Sequence, residues 1–322
     1  MEYDQLLSGH LKLATRKDLA NKNLAKIQSA FLKSEIFRKK LISVFAAGSF
    51  GRKDIGSNSD LDLFVVAEYA DKDRSRLDDL EVLAEIIEIN RDLKYPPISN
   101  DGEFLKVYSI EEMKRTLGDR KDDSENLFTA RMLMLLESTP ICNENLYDKH
   151  MSAIAEHYFR DYADHKPFKP LFLVNDILRY WRTLCLNYEG IRNNTERPWR
   201  KRNINLKFSR MLTVFGSVLP IITNPVQSAE QFVSLTRLTP LERFASGLQN
   251  LKNNDLNDGF NQFLNDYETF LQWKEDENVE KKMKDEAIKK ESRLVANRFS
   301  YYIYKALTHP SIPAEYQRYL II

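Results

Sequence analysis

Two aspartates, Asp60 and Asp62, flank Leu61 at the head of the apolar run Leu63-Phe64-Val65-Val66, downstream of a small-residue turn, Gly48-Ser49. Residues i and i+2 of an extended chain project to the same side. Two carboxylates held side by side repel unless a cation sits between them. Mg²⁺ takes one or two carboxylates and completes its shell with phosphate oxygens and water. The pair therefore suits Mg²⁺, or Mn²⁺ in its place, carrying a nucleoside triphosphate (NTP). Gly48 lets the backbone come close to a ligand and Ser49 adds a hydroxyl, so backbone N–H groups at this turn suit phosphate oxygens without a P-loop lysine. The plain alternative makes Ser59-Asp60 a turn cap and Asp62 a residue on an exposed strand edge. Against it, Asp is depleted in strands, and an apolar strand bearing two same-face charges needs a cation or solvent to compensate them.

Specific elements must position these residues. The run 41–47, with Val44 and Phe45 at its centre, reads as a buried strand ending in Gly48-Ser49, with a short helical turn to follow. Residues 61–66 read as a second strand. A helical stretch 74–90 and a Tyr95-Pro96-Pro97 break lead to Asn100-Asp101-Gly102, a turn signal, and then to a strand at 103–108. Two acids compete there for a third position in a metal site. Asp101 sits at the strand entry and Glu103 two residues on; the ordinary roles would be a turn cap for Asp101 and a solvated edge residue for Glu103. Arg52 is placed either to clamp a phosphate or to pair with nearby Asp54.

The string Gly48-Ser49-Phe50-Gly51-Arg52, followed by Ser59-Asp60-Leu61-Asp62-Leu63, resembles the signature of the DNA polymerase β-type nucleotidyltransferase superfamily, in the form found in PII uridylyltransferases and related nucleotidyltransferases. The resemblance runs from about Val44 to Arg131, since Asn126 to Arg131 is similar to the stretch after the core in those proteins. It implies that Asp60 and Asp62 bind the metal and that a third acid on a later strand completes the site, with Asp101 the better match and Glu103 the alternative. It also implies transfer of a nucleoside monophosphate from ATP or another NTP to an acceptor hydroxyl, with release of pyrophosphate. Bound metal would align the α-phosphate and lower the pKa of the attacking hydroxyl; Ser49 would hold the β- or γ-phosphate. In this superfamily a helical domain closes over the catalytic module and supplies cations to the triphosphate. Lys207 and Arg210, on adjacent turns of an expected helix, are the candidates, and ordinary surface cations are the alternative. Within the class the resemblance favours a protein as acceptor; a cyclic-nucleotide or oligonucleotide messenger synthase, an aminoglycoside-type enzyme and a non-catalytic nucleotide-binding regulator are the competing readings. No His-Asp dipeptide occurs, so a metal phosphohydrolase module that would remove the nucleotide has no support.

Composition sets the frame. The chain has 322 residues, 43% hydrophobic and 30% charged, as expected for a globular protein with room for more than one core. Its net charge of +1 argues against a dedicated nucleic-acid binder while leaving room for a local basic patch. Cys142 and Cys185 are the only cysteines, which suggests neither a disulfide framework nor a zinc site. The sequence shows no apolar run of membrane-spanning length and an acidic start unlike a signal peptide, so a cytoplasmic protein without a membrane partner is expected.

The expected fold is α+β: a small mixed sheet with flanking helices, then an all-α part. Expected divisions are an N-terminal helical segment at 1–40, a catalytic module at 41–166 and a helical domain at 167–322, with the boundary at His165-Lys166-Pro167-Phe168-Lys169-Pro170. Helices are expected at 18–40, 125–138, 171–189 and 203–216, the last closed by Gly216, with a charge-dense helical stretch at 274–290. A basic loop from Arg192 to Arg202 is available to an acidic partner or a nucleic-acid acceptor.

Overall fold

In a computed structural model of the chain, which describes residues 3–69, 75–98, 102–161, 168–190, 199–224, 226–251 and 254–321, the first apolar run forms β1, Ile42–Ala46, buried along its whole length. The second forms β2, Leu63–Ala67, also buried throughout. Two further strands complete a mixed sheet of order β3-β2-β1-β4: β3, Val107–Ser109, parallel to β2, and β4, Thr139–Cys142, antiparallel to β1. The architecture is α+β, as expected. β4 was not expected. Its Pro140 cannot donate to a ladder, and the strand lies at the sheet edge, where that is tolerated.

Strand alternation divides the sheet into two faces. Ile42, Val44, Ala46, Leu63, Val65 and Ala67 join one core cluster with Ala20, Leu24, Ile27 and Phe31 of the helix Leu11–Lys33 and with Val82, Ile86 and Ile89 of the helix Arg76–Asp92. Each fully buried Leu, Ile, Val or Phe contributes about 1.5–3 kcal/mol relative to exposure. On the other face Phe45 of β1 stacks on Phe64 of β2, centroids 5.2 Å apart, and Tyr147 of the helix Glu144–Tyr158 meets Phe45 edge-on at 6.1 Å.

The chain divides into a sheet unit, Arg16–Lys166 with Ser228–Thr239, and a helical unit, Met1–Thr15 with Pro167–Gln227 and Pro240–Ile322. This differs from the expected three-part division. The N-terminal segment is split, its first residues grouping with the later helices, and Ala229–Thr236 is a helix of the sheet unit whose Phe232 meets Phe159 at 6.4 Å. The expected boundary lies partly outside the described residues, at 162–167.

Several helix expectations need correction. The single helix expected at 18–40 is two, Leu11–Lys33 and Glu35–Lys39, because Ser34 is extended between them while Phe37 folds back onto Phe31 at 4.6 Å. The helix expected to end at Gly216 continues to Thr223, and Gly216 instead lets the helix Pro240–Leu251 approach: a Cβ there would lie 2.7 Å from the Pro240 carbonyl oxygen. With Trp199–Asn205 and the π-helical turn Leu206–Arg210, this forms a continuous helix, Trp199–Thr223, long and apolar enough by length and composition to cross a membrane. This departs from the expectation of no apolar run of that length. Its apolar window is 67% buried inside the protein, the pattern of a core helix. The charge-dense stretch 274–290 is not one helix but the end of Asn254–Glu275, the short Val279–Lys282 and the start of Glu286–Leu307, capped by Asp285. The basic loop is outside the described residues at 191–198, and its Trp199 to Arg202 portion is helical.

Candidate functional site

The two halves of the sequence motif meet at one end of the β1–β2 pair. The ladder continues past Ala46 and Leu63: the Ala47 N–H donates to the Asp62 carbonyl oxygen at 2.9 Å. Asp60 and Asp62 thus lie in the segment leading into β2 rather than within the strand, and both are partly exposed. Gly48 follows immediately on the other chain with φ +64°, and a Cβ at that position would stand 2.8 Å from Asp62 Oδ2. The left-handed conformation and the close carboxylate both call for glycine there. Gly48–Arg52 is the expected helical turn, and Ser49, at its second position, is largely buried.

The loop between the halves is fixed at several points. Ile55 and Leu61, near its two ends, are buried in the core cluster. The Asp54 N–H donates to the Ser49 carbonyl at 3.0 Å, Arg16 donates to the Ile55 carbonyl at 3.0 Å, and the Ser59 hydroxyl accepts from the Gly56 N–H at 2.9 Å. Ser59 therefore closes a turn that delivers Asp60 and Asp62. Phe50 packs edge-on against Tyr95 at 5.6 Å.

Arg52 is not directed to a ligand. Its guanidinium donates from Nε to Asp54 at 3.0 Å and from Nη1 to Glu137 at 2.7 Å, with all three side chains under a tenth exposed. The pairing with Asp54 was one of the two roles open in the sequence; Glu137 was not anticipated. Gly51 belongs to the same contact, because a Cβ there would overlap the Glu137 carbonyl oxygen, far inside the 3.0 Å that real Cβ atoms keep. The second half of Gly-Ser-Phe-Gly-Arg is thus an anchor to the chain entering β4. No local sequence signal pairs Arg52 with a residue so far along the chain.

Arg131 is likewise structural. It makes a bidentate pair with Asp122, at 2.8 and 2.7 Å, and donates to the Tyr158 hydroxyl at 2.9 Å and the Met113 carbonyl at 3.1 Å, fully buried throughout. Such a pair fixes the helices around it, since the desolvated charges need every one of these partners.

Of the two candidates for a third acid, Asp101 lies outside the described residues. Glu103 is exposed and sits in a turn, not in the strand expected at 103–108. Gly102, at φ +74°, starts that turn and accepts from the Leu105 N–H at 2.8 Å, so the strand begins only at Val107. The turn nevertheless flanks the Phe64 face: Phe104 approaches Phe64 at 6.4 Å, and the Glu103 charge adds to burial in holding the Tyr108 hydroxyl well above its usual range. Among the described residues no group of three or more His, Cys, Asp or Glu side chains is gathered as a metal site. Asp60 and Asp62 are two partly exposed carboxylates two residues apart in the segment entering β2.

Lys207 and Arg210 belong to the helical unit, in the π-helical turn Leu206–Arg210. Burial, with a smaller contribution from the Arg293 charge, pushes the Lys207 ammonium below its ordinary value.

The structure also contains a hydrogen-bonded chain the sequence did not reveal. Ser43 Oγ lies 3.0 Å from His150 Nδ1, and His150 Nε2 lies 2.9 Å from Glu68. Ser43 has no solvent exposure, so no substrate reaches its hydroxyl, and the chain ties β1 to the helix Glu144–Tyr158. Burial lowers the His150 pKa below its ordinary value, against the opposing effect of Glu68.

No family model, no curated protein and no solved structure matches the chain.

Proposed function

We propose that the protein is a metal-dependent nucleotidyltransferase that moves a nucleoside monophosphate from an NTP to an acceptor hydroxyl. The observation that carries this reading is the contact of Gly48 with Asp62: two motif halves separated in sequence stand against each other at adjoining chain ends. A Cβ would fill the space beside the Asp62 carboxylate, and glycine leaves it open. A donor set of two partly exposed carboxylates fits Mg²⁺ or Mn²⁺, which would take its remaining ligands from triphosphate oxygens and water. Asp60 and Asp62 would hold the ion, and the ion when bound would supply charge neutralisation at the phosphates and a more acidic attacking hydroxyl.

The chain's own residues do the positioning. The Gly48-Ser49 turn admits phosphate oxygens close to the backbone, and the pinned loop 53–59 fixes Asp60 and Asp62 relative to that turn. Orientation of an in-line displacement gains most from such rigidity, because the transferred group needs positioning and electrostatic stabilisation rather than covalent help. Arg52 has no part in the chemistry in this reading; it holds the turn through Glu137. Asp101 remains the proposed third acid on the resemblance, with Glu103 the alternative. Lys207 and Arg210 are proposed as triphosphate contacts on the same resemblance.

Incubation of the protein with each labelled NTP and Mg²⁺, alone and with cell extract, tests the proposal. Label transferred to a protein supports nucleotidylylation, and a labelled cyclic or oligomeric product supports the messenger-synthase reading. Absence of turnover with every triphosphate, together with unchanged nucleotide binding by Asp62→Ala, rejects catalysis at this site.

A further inference from the structure

The helix Glu286–Leu307 of the helical unit carries one buried face and one face that no described residue covers. Val295, Phe299, Tyr302 and Ile303 fill the core, where Phe299 stacks with Phe263 at 4.4 Å. On the opposite side Leu294, Tyr301 and Tyr304 are 64%, 61% and 58% exposed. The two tyrosine rings lie 6.1 Å apart and 26° from parallel, both in water. Scattered exposed apolar residues need no explanation, but a contiguous aromatic stripe on a rigid helix marks a contact surface.

Its charges say what kind. Lys290, Arg293 and Lys305 are exposed around the same stripe, and none of them forms an ion pair with another described residue. The neighbouring cation Arg298 is neutralised by Asp266 from the helix Asn254–Glu275, and Glu286 is taken by Lys289. Glu291 is the remaining acid on this helix and lies toward one flank. From Lys290 to Lys305 the stripe runs about 22 Å at the α-helical rise. Arg293 also adds its charge to that of half-buried Lys207, so positive charge extends to the π-helical turn.

We infer that this face binds single-stranded nucleic acid, with bases stacking on Tyr301 and Tyr304 and phosphates meeting Lys290, Arg293 and Lys305. Aromatic platforms flanked by cations recognise single strands without sequence preference, because every base has a π-face and every nucleotide a charge. A helical protein partner would want aliphatic anchors at i, i+3, i+4 and i+7. Here Leu294 is the only aliphatic side chain of the stripe, and polar Asn297 and Thr308 interrupt it. The inference is independent of the proposed catalytic site.

The test uses the full chain and a fluorescein-labelled oligouridylate, with binding read by anisotropy across a salt series. Binding at low salt is expected, weakened at least tenfold by Tyr301→Ala with Tyr304→Ala. Lys290→Ala with Arg293→Ala and Lys305→Ala is expected to flatten the dependence of log K on log salt by about 2, at roughly 0.7 per neutralised phosphate of a single strand. Asp62→Asn leaves both unchanged. These side chains are exposed, so unchanged thermal midpoints confirm that the variants fold. No binding at low salt overturns the inference, as does binding that survives the tyrosine substitutions. Competition by polyglutamate as effective as by unlabelled oligonucleotide also overturns it, assigning the face to an acidic protein.

Discussion

Replacing Arg52 by Met is the most direct test of how the motif is built. In this structure the guanidinium is shared by two carboxylates, Asp54 and Glu137, with side-chain exposures of 5%, 7% and 0% for the three residues in that order. Removing this cation takes the shared guanidinium from two carboxylates that are held out of water. Breaking a buried pair by deleting one partner costs about 3–5 kcal/mol, most of it the penalty of the charge left behind. With a urea dependence of about 2 kcal/mol/M, the unfolding midpoint of the sheet unit should fall by about 2 M. Arg52→Lys should recover only part of this, because an ammonium cannot present the fork that serves both acids. The three tryptophans, Trp181, Trp199 and Trp273, all lie in the helical unit, so their fluorescence reports the wrong part of the chain. Hydrogen exchange on peptides covering 42–52 and 137–142 reads the right one. Arg52→Met combined with Glu137→Gln should be less damaging than the sum of the single changes, with a coupling of about 0.5–3 kcal/mol. A loss of less than about 1 kcal/mol, with exchange protection intact and triphosphate affinity abolished, would refute the reasoning and return Arg52 to the ligand.

Other expectations follow from the same geometry. Gly51→Ala should destabilise the sheet unit by about 3 kcal/mol or more, since the methyl meets backbone rather than a movable side chain; Gly48→Ala, which meets the end of the Asp62 side chain, should cost less stability and more Mg²⁺-dependent nucleotide binding, seen by comparing urea midpoints with titrations. Asp62→Asn should lower NTP turnover by at least about 10²-fold with the urea midpoint nearly unchanged, and a loss below tenfold would remove Asp62 from the metal site. His150 is buried with its pKa held below 6.5, so the folded state binds fewer protons than the unfolded chain as the pH falls through that value. Its contribution is complete above pH 6.5 and shrinks below it toward the folded pKa. Thermal midpoints between pH 7.5 and 5 should therefore fall less steeply for His150→Gln than for the parent, and parallel profiles would show that His150 titrates alike in both states.

The local features of the site were legible in the sequence. Apolar runs bounded by small residues and turn formers specify β1 and β2, and Gly48-Ser49 ends the first where an L side chain would be strained. Those signals are local, because strand burial and positive φ act within a few residues. The placement of Asp60 and Asp62 just before β2, instead of inside it, was a matter of where the ladder stops. That depends on the turn closed by Gly56 and Ser59 and on the core positions of Ile55 and Leu61. Helix ends were less legible. Gly216 reads as a stop because glycine often ends helices, but packing against Pro240–Leu251 needs the missing Cβ in mid-helix.

Sequence by itself determined the α+β class, the two motif halves and the chemistry they suit, since residue type fixes which atoms can bind phosphate or metal. Tertiary structure alone decided the use of the arginines. Arg52 could have faced a phosphate, and instead it is held by Asp54 and Glu137, while Arg131 is held by Asp122. It also decided that Gly51 is a packing residue and that β4 closes the sheet edge. These are contacts between segments far apart in the chain. A charged side chain takes the nearest opposite charge that folding delivers, and only the folded backbone says which one that is.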